Sequence, residues 1–96
     1  MGISFTNRVR VAPNVLFRYV ADEGVLVNLN TEVYLGLNST GARMWTALND
    51  ASSIQAAYEA LLDEYDADPA ELRGDLEAFT ENLFAERLIE IAPGAE

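Results

Sequence analysis

The hydrophobic pattern of the chain changes once, near residue 38, and this change restricts the fold more than any other feature of the sequence. Before that point, apolar residues alternate with polar ones or form short β-branched runs, as they do in half-buried strands. After it, apolar residues recur every three or four positions, as they do along one face of a helix. A sheet followed by helices predicts an α+β domain.

Three strands are predicted in the first part, over residues 15–20, 25–29 and 32–37. Asp22 and Gly24 favour a turn after the first strand, and Asn30 and Thr31 form a tight connection after the second. The three strands therefore read as an antiparallel meander. Residues 7–12 are a candidate extension of it, which ends before Pro13 because proline cannot donate to a sheet.

Side chains alternate between the two faces of a strand, so the apolar residues indicate which face is buried. The odd-numbered residues from 25 to 29 share one face of the second strand. In the third strand Val33, Leu35 and Leu37 point inward, which leaves Tyr34 and Gly36 on the opposite face.

Three helices follow, ending near residues 49, 65 and 87. The third has the clearest start, because Pro69 and Glu71 suit the first and third helical positions. Its apolar residues form one stripe at helical spacing: Leu72, Leu76, Phe79 and Leu83. The candidate N-caps of the three helices are Asn38 or Ser39, Ser52 or Ser53, and Asp68. The predicted fold is thus a winged helix-turn-helix-like α+β domain, with a three-stranded antiparallel sheet followed by three helices.

Residue types missing from the chain restrict its chemistry. Histidine and cysteine are absent, which removes the usual general base, thiol nucleophile and zinc ligands. An acidic run at 63–68 suggests calcium as one alternative, but it lacks the glycine and closing glutamate of an EF-hand loop, and a helix end with its cap is the favoured explanation. We expect no enzymatic activity, no metal and no cofactor.

Charge restricts the partners. Six arginines and sixteen acidic residues give a net charge of −10, and a surface of that sign repels nucleic acid and anionic membranes. The beginning of the chain lacks the charged and apolar regions of a signal peptide, so a cytoplasmic location is expected. We expect one domain over residues 1–96, with flexible ends at 1–7 and 92–96.

The predicted strand at 32–37 is the most informative segment for function. An edge strand presents unpaired N–H and C=O groups that can accept a strand from a peptide. The alternative is that this strand lies inside the sheet or under a helix. The residues alone leave both possibilities open.

A resemblance to a known family favours the first possibility. The segment Val33-Tyr34-Leu35-Gly36-Leu37-Asn38, followed by Gly41-Ala42-Arg43-Met44-Trp45, resembles the signature of PqqD-like proteins. The similarity continues through residues 58–66, 68–69 and 75–79, and ends at Leu83 and Leu88-Ile89. It covers about residues 8–91.

This resemblance implies a function in the biosynthesis of ribosomally made, modified peptides. PqqD-like proteins bind the leader segment of a precursor peptide as an added antiparallel strand and present it to a modifying enzyme. The expected partners are therefore a precursor peptide and an enzyme, either a radical S-adenosylmethionine protein or the leader protease of a lasso-peptide pathway.

The resemblance also implies where the leader binds, in a groove between the third strand and the third helix. If the N–H of Leu35 pairs with the leader, Leu35→Pro should abolish binding. The candidate peptide-binding residues are Val33, Tyr34, Leu35, Gly36, Leu37, Arg73, Leu76, Glu77, Thr80, Leu83 and Phe84.

Two other functions stay open at this point. One is a structural subunit of a larger enzyme that binds no peptide. The other is a winged-helix DNA-binding protein, although the exposed face of the third helix would carry mainly acidic residues.

Overall fold

The computed structural model describes residues 3–94. It confirms an α+β fold in which a three-stranded antiparallel sheet precedes three helices, an arrangement compatible with a winged helix-turn-helix. Two further strands lie near the chain ends. The elements are β1 (Asn7–Val11), β2 (Val15–Val20), β3 (Glu23–Asn28), β4 (Val33–Leu37), α1 (Ser39–Asp50), α2 (Ile54–Glu64), α3 (Pro69–Ala85) and β5 (Ile89–Pro93).

β1 and β5 form a separate antiparallel sheet of two strands, in which Val9 lies opposite Ile91. Residues 7–12 therefore do not extend the meander, and the partner of β1 comes from the other end of the chain. Parts of the segments that were expected to be flexible belong to the folded unit, because Phe5 is buried and Asn7 pairs with Pro93. The rest of the two segments predicted to be flexible, 1–2 and 95–96, lies outside the described residues.

The meander has the order β2-β3-β4. Its inner face agrees with the prediction for β4, where Leu37 is buried and Val33 and Leu35 are half-buried. In β3 the even-numbered face is the inner one: Leu26 and Asn28 point into the core, and Leu29 is exposed after the strand ends. Apolar residues occur on both faces of this strand, so alternation alone did not identify the buried face.

The helix starts agree with the sequence. Asn38, Ser53 and Asp68 are the N-caps, and each side chain accepts a hydrogen bond from a backbone N–H three residues ahead. These bonds satisfy donors that the first turn of a helix otherwise leaves unpaired. Pro69 occupies the first turn of α3, where its missing N–H costs nothing.

The helices and the inner faces of the strands enclose one hydrophobic core. Trp45 of α1 stacks on Phe17 of β2 with ring centroids 5.8 Å apart, which fixes α1 against the meander. Leu76 and Leu83 of α3 are completely buried. The core thus holds α1 under the sheet and α3 beside α2 and β5.

Candidate functional site

β4 is an edge strand of the meander. It pairs with β3 on one side, and within residues 3–94 no strand pairs with its other side. α1 begins two residues after β4 ends, at Ser39, and contacts both β3 and β4. The edge is therefore open to a further strand.

The pairing between β2 and β3 determines where the backbone groups of β3 point. Val20 and Glu23 flank a two-residue turn, and Leu29 N donates to Asn14 O over 2.9 Å at the far end of the same pair. Hydrogen-bonded and non-hydrogen-bonded pairs alternate along antiparallel strands. Consequently the even-numbered residues of β3 direct their N–H and C=O groups toward β4, namely Gly24, Leu26 and Asn28.

The same alternation assigns the backbone groups of β4. Val33, Leu35 and Leu37 lie opposite the β3 residues that point toward them, so their N–H and C=O groups belong to the existing sheet. Tyr34 and Gly36 direct theirs to the open edge. The test at Leu35 suggested by the sequence is therefore misplaced, because proline there would break the β3–β4 pairing.

Tyr34 and Gly36 also lie on the outer face of the meander. The Tyr34 side chain is 71% exposed, and a Cβ built on Gly36 meets no atom within 4 Å. Val27 lies opposite Tyr34, and Leu16 lies opposite Val27. A strand added at the edge would place every second side chain beside this apolar row.

α3 runs antiparallel to β4, as contacts at its two ends show. At its end, Arg87 O accepts a 2.9 Å hydrogen bond from Asn28 Nδ2, and Asn28 pairs with Val33 at the start of β4. At its beginning, Leu72 and Asp75 face α1, which starts directly after β4 ends. We call the depression at this second end the α1–α3 cleft. It measures about 240 Å³ and is lined by Thr40, Met44, Tyr65, Asp66, Ala67, Glu71, Leu72 and Asp75.

Three of the α3 residues predicted from sequence belong to the core. Leu76, Thr80 and Leu83 have no exposed surface, and the Thr80 hydroxyl donates to Leu76 O over 2.7 Å. A peptide cannot reach these side chains without rearranging the fold. The prediction that they line the groove is therefore corrected to a packing role.

The other predicted α3 residues lie on the flank away from the cleft. The Arg73 guanidinium sits 4.0 Å from the centroid of the Phe5 ring, a cation–π contact with the segment before β1. Phe84 is 52% exposed and lines a depression with Ala12 and Ile89. Glu77 follows Arg73 by one turn. None of these residues lines the α1–α3 cleft.

The described residues contain neither a group of side chains suited to a metal ion nor a helix suited to a membrane. Within 3–94 no three His, Cys, Asp or Glu side chains are grouped so as to hold a metal ion, and Asp68 of the acidic run caps α3. In the same range no helix is long and apolar enough to cross a membrane.

The sequence matches the family model of coenzyme PQQ synthesis protein D, PqqD, over residues 23–89. The chain belongs to the PqqD family. The part that matches the PqqD model begins with β3 and ends at the first residue of β5, so it includes the open edge of β4 and all of α3.

A solved structure is also similar to this PqqD-family chain: TbiB1 in complex with the TbiA(beta) leader peptide. The two chains share 29% identity and superpose with a TM-score of 0.76, over 84% of this chain and 94% of TbiB1. A search of curated proteins finds no match.

Sequence reasoning missed the α3 residues that line the α1–α3 cleft. At 3.6 residues per turn, Asp75 lies on one flank of the buried Leu72–Leu83 stripe, whereas Arg73 and Phe84 lie on the other. Both flanks of this PqqD-family helix carry polar residues, so the pattern did not distinguish them. The buried Met44 of α1 and the half-buried Tyr65 also form part of the cleft lining.

Proposed function

We propose that this chain binds the leader segment of a ribosomally made precursor peptide, by adding the leader as an antiparallel strand at the open edge of β4. The observation that carries the proposal is the outward direction of the N–H and C=O groups of Tyr34 and Gly36 on an unpaired edge. Membership of the PqqD family and the similarity to TbiB1 with its leader peptide support the choice of ligand.

Backbone pairing alone is insufficient for tight binding. Two residues with outward groups supply up to four hydrogen bonds, each with a net value of about 1 kcal/mol. Ordering a flexible peptide and losing its translational freedom cost at least as much. Side chains must therefore contribute, and those of an added strand would alternate between the outer face beside Tyr34 and the inner side toward α3.

The direction of the bound leader follows from antiparallel pairing. Its N-terminal part would lie beside Leu37 and the α1–α3 cleft, and its C-terminal part beside Val33 and the end of α3. The remainder of the precursor would leave the domain near Arg87. A modifying enzyme would then meet its substrate segment at that end.

We further infer that the chain itself makes and breaks no covalent bond. A chain without histidine and cysteine is poorly equipped for acid–base or thiol chemistry, and binding both leader and enzyme raises the effective concentration of the precursor at the enzyme. The partner enzyme is a radical S-adenosylmethionine protein or a leader protease.

Substitution of Gly36 tests the binding mode. Gly36→Pro removes one outward N–H without removing a bond to β3, because proline is tolerated at an edge strand when its nitrogen faces solvent. We expect this variant to fold and to bind the leader at least tenfold more weakly. The measurement is calorimetric titration with the leader of the precursor peptide encoded beside this chain.

Gly36→Ala is the matched control. It keeps the N–H, and the added Cβ points into open space. We expect its affinity to stay within about threefold of the wild type. Normal binding by a folded Gly36→Pro protein would rule out strand addition at this position, and no binding by the wild type at high micromolar leader would rule out the proposed function for that peptide.

A further inference from the structure

The charge of the chain is divided unevenly between its two parts. Before residue 38, three arginines balance three acidic residues. From residue 38 onward, three arginines accompany thirteen acidic residues, so this part carries the whole net charge of −10. β4 therefore belongs to a part of the chain without net charge, and the acidic part begins directly after it.

The α1–α3 cleft combines an apolar floor with carboxylates. Met44, Leu72 and Tyr65 are buried or half-buried, whereas Asp66 and Asp75 are exposed. Glu71, also exposed, lies in the first turn of α3, where the helix dipole favours a negative charge. The dipole does not account for the other two, because Asp66 precedes the helix and Asp75 lies in its second turn.

The arginine nearest in sequence to the cleft lining does not neutralise these carboxylates. Arg43 Nε donates to both carboxylate oxygens of Glu64, over 3.0 and 2.7 Å. This hydrogen bond, opposed in part by desolvation, raises the pKa of Arg43 above its ordinary value, so the residue remains charged and engaged with Glu64. No cationic side chain lines the cleft itself.

The position of the cleft connects its charge to the leader. It lies where β4 ends and α1 begins, and an antiparallel strand on β4 would have its N-terminal side there. The other end of β4 has mixed charge, since Glu32, Glu86 and Arg87 lie near it. An electrostatic preference is therefore expected at the N-terminal side of the leader.

We propose that the leader carries lysine or arginine directly before the segment that pairs with β4, and that the carboxylates of the α1–α3 cleft select for this positive charge. The inference rests on the proposed function and specifies the chemistry of its ligand. Complementary charge at the rim of a peptide groove contributes mainly to partner selection and to the rate of association.

The test compares two variants of equal net charge. One neutralises the cleft with Asp66→Asn, Glu71→Gln and Asp75→Asn. The other neutralises three acidic residues that do not line it, with Glu59→Gln, Glu81→Gln and Glu90→Gln. Both are titrated with the leader of the neighbouring precursor at 0.05 and 0.3 M NaCl, after circular dichroism has verified their folding.

We expect the cleft variant to bind roughly three- to tenfold more weakly at low salt, the range for a few exposed charge pairs. The leader affinity of the control variant should stay within about twofold of the wild type. High salt should reduce the difference in affinity between the two variants, because it screens exposed charges. Replacing the basic residues before the paired segment of the leader by glutamine should also remove the difference between the variants.

Each contrary result has a separate meaning. Equal weakening of both variants, or tighter binding by the cleft variant, overturns the charge preference while leaving strand addition intact. A difference in affinity between the two variants that persists with the glutamine-substituted leader also overturns the charge preference. Failure of the wild-type protein to bind the leader overturns the proposed function and this inference together.

Discussion

Among residues 3–94, four residues other than glycine adopt a positive φ: Asn14, Ala21, Glu32 and Arg87. All of them lie where the chain reverses direction between elements. Ala21 stands out, because it is the first residue of the two-residue turn between β2 and β3 and its φ is 59°. A turn with positive φ at that position is the one that favours glycine, since a Cβ there is strained.

Ala21→Gly is therefore expected to stabilise the protein by about 1 kcal/mol. Removal of the Cβ relieves strain in the folded state. The free energy gained in this way exceeds the entropic cost of making the unfolded chain more flexible. The free energy of unfolding from urea titration measures the effect. Ala67→Gly is the control, because Ala67 has an ordinary negative φ, and there the change should destabilise by about 0.5 to 1 kcal/mol. A loss of stability in Ala21→Gly would contradict this account.

At the scale of elements, one buried side chain joins the meander to α3. Asn28 is 3% exposed, and its Nδ2 donates to Arg87 O. Its Oδ1 accepts from the backbone N–H groups of Asn30 and Thr31 in the turn before β4. The same amide thus shapes the β3–β4 turn and fixes the end of α3 beside it.

Asn28→Ala should destabilise the protein by about 2–3 kcal/mol, because it leaves three backbone groups without their partner. Chemical denaturation measures the loss. Asn82→Ala, at an exposed position of α3, should change stability by less than about 0.5 kcal/mol. If the two variants are equally stable, the Asn28 hydrogen bonds do not hold α3 in place.

The elements also show what the sequence could and could not predict. The capping residues and the stripe of α3 depend on local geometry, so their positions were predictable. The inner face of β3 was not, because it carries Gly24 and Asn28 in place of large apolar residues. A Cβ on Gly24 would lie 2.5 Å from the Phe17 ring, and Asn28 is satisfied by hydrogen bonds, so both positions are explained only by tertiary contacts.

The same distinction between local geometry and tertiary contacts applies to the candidate site. The open character of the strand at 32–37 was one of two possibilities until the strand order was known. The α3 residues that line the cleft could be identified only from the positions of α1 and of the segment around Phe5, because both flanks of the helix carry polar residues. Long-range pairing, such as that of β1 with β5, leaves no local signal in either strand.

At the scale of the whole molecule, the excess negative charge opposes folding. Thirteen of the sixteen acidic residues lie in the part from residue 38 onward, and only the Arg43–Glu64 pair forms a salt bridge among residues 3–94. Mutual repulsion of these groups is relieved when the chain unfolds.

Stability should therefore rise with ionic strength. Urea is the suitable denaturant because it is uncharged, and the midpoint of unfolding should increase between 0.01 and 0.2 M NaCl, where the screening length falls to about 10 Å or less. The variant with three neutralised cleft carboxylates should show a smaller increase. A midpoint that falls with added salt would indicate that attractive pairs outweigh repulsion.

The two-stranded sheet of β1 and β5 has a consequence for how the domain can be connected. Because Asn7 lies opposite Pro93, the chain enters and leaves the folded unit at neighbouring points, in a different sheet from the open edge of β4. A short linker could join these points and new ends could be cut in the exposed turn around Ser52, giving a circular permutant with the same peptide-binding edge. For the same reason the domain could be inserted into a surface loop of another protein.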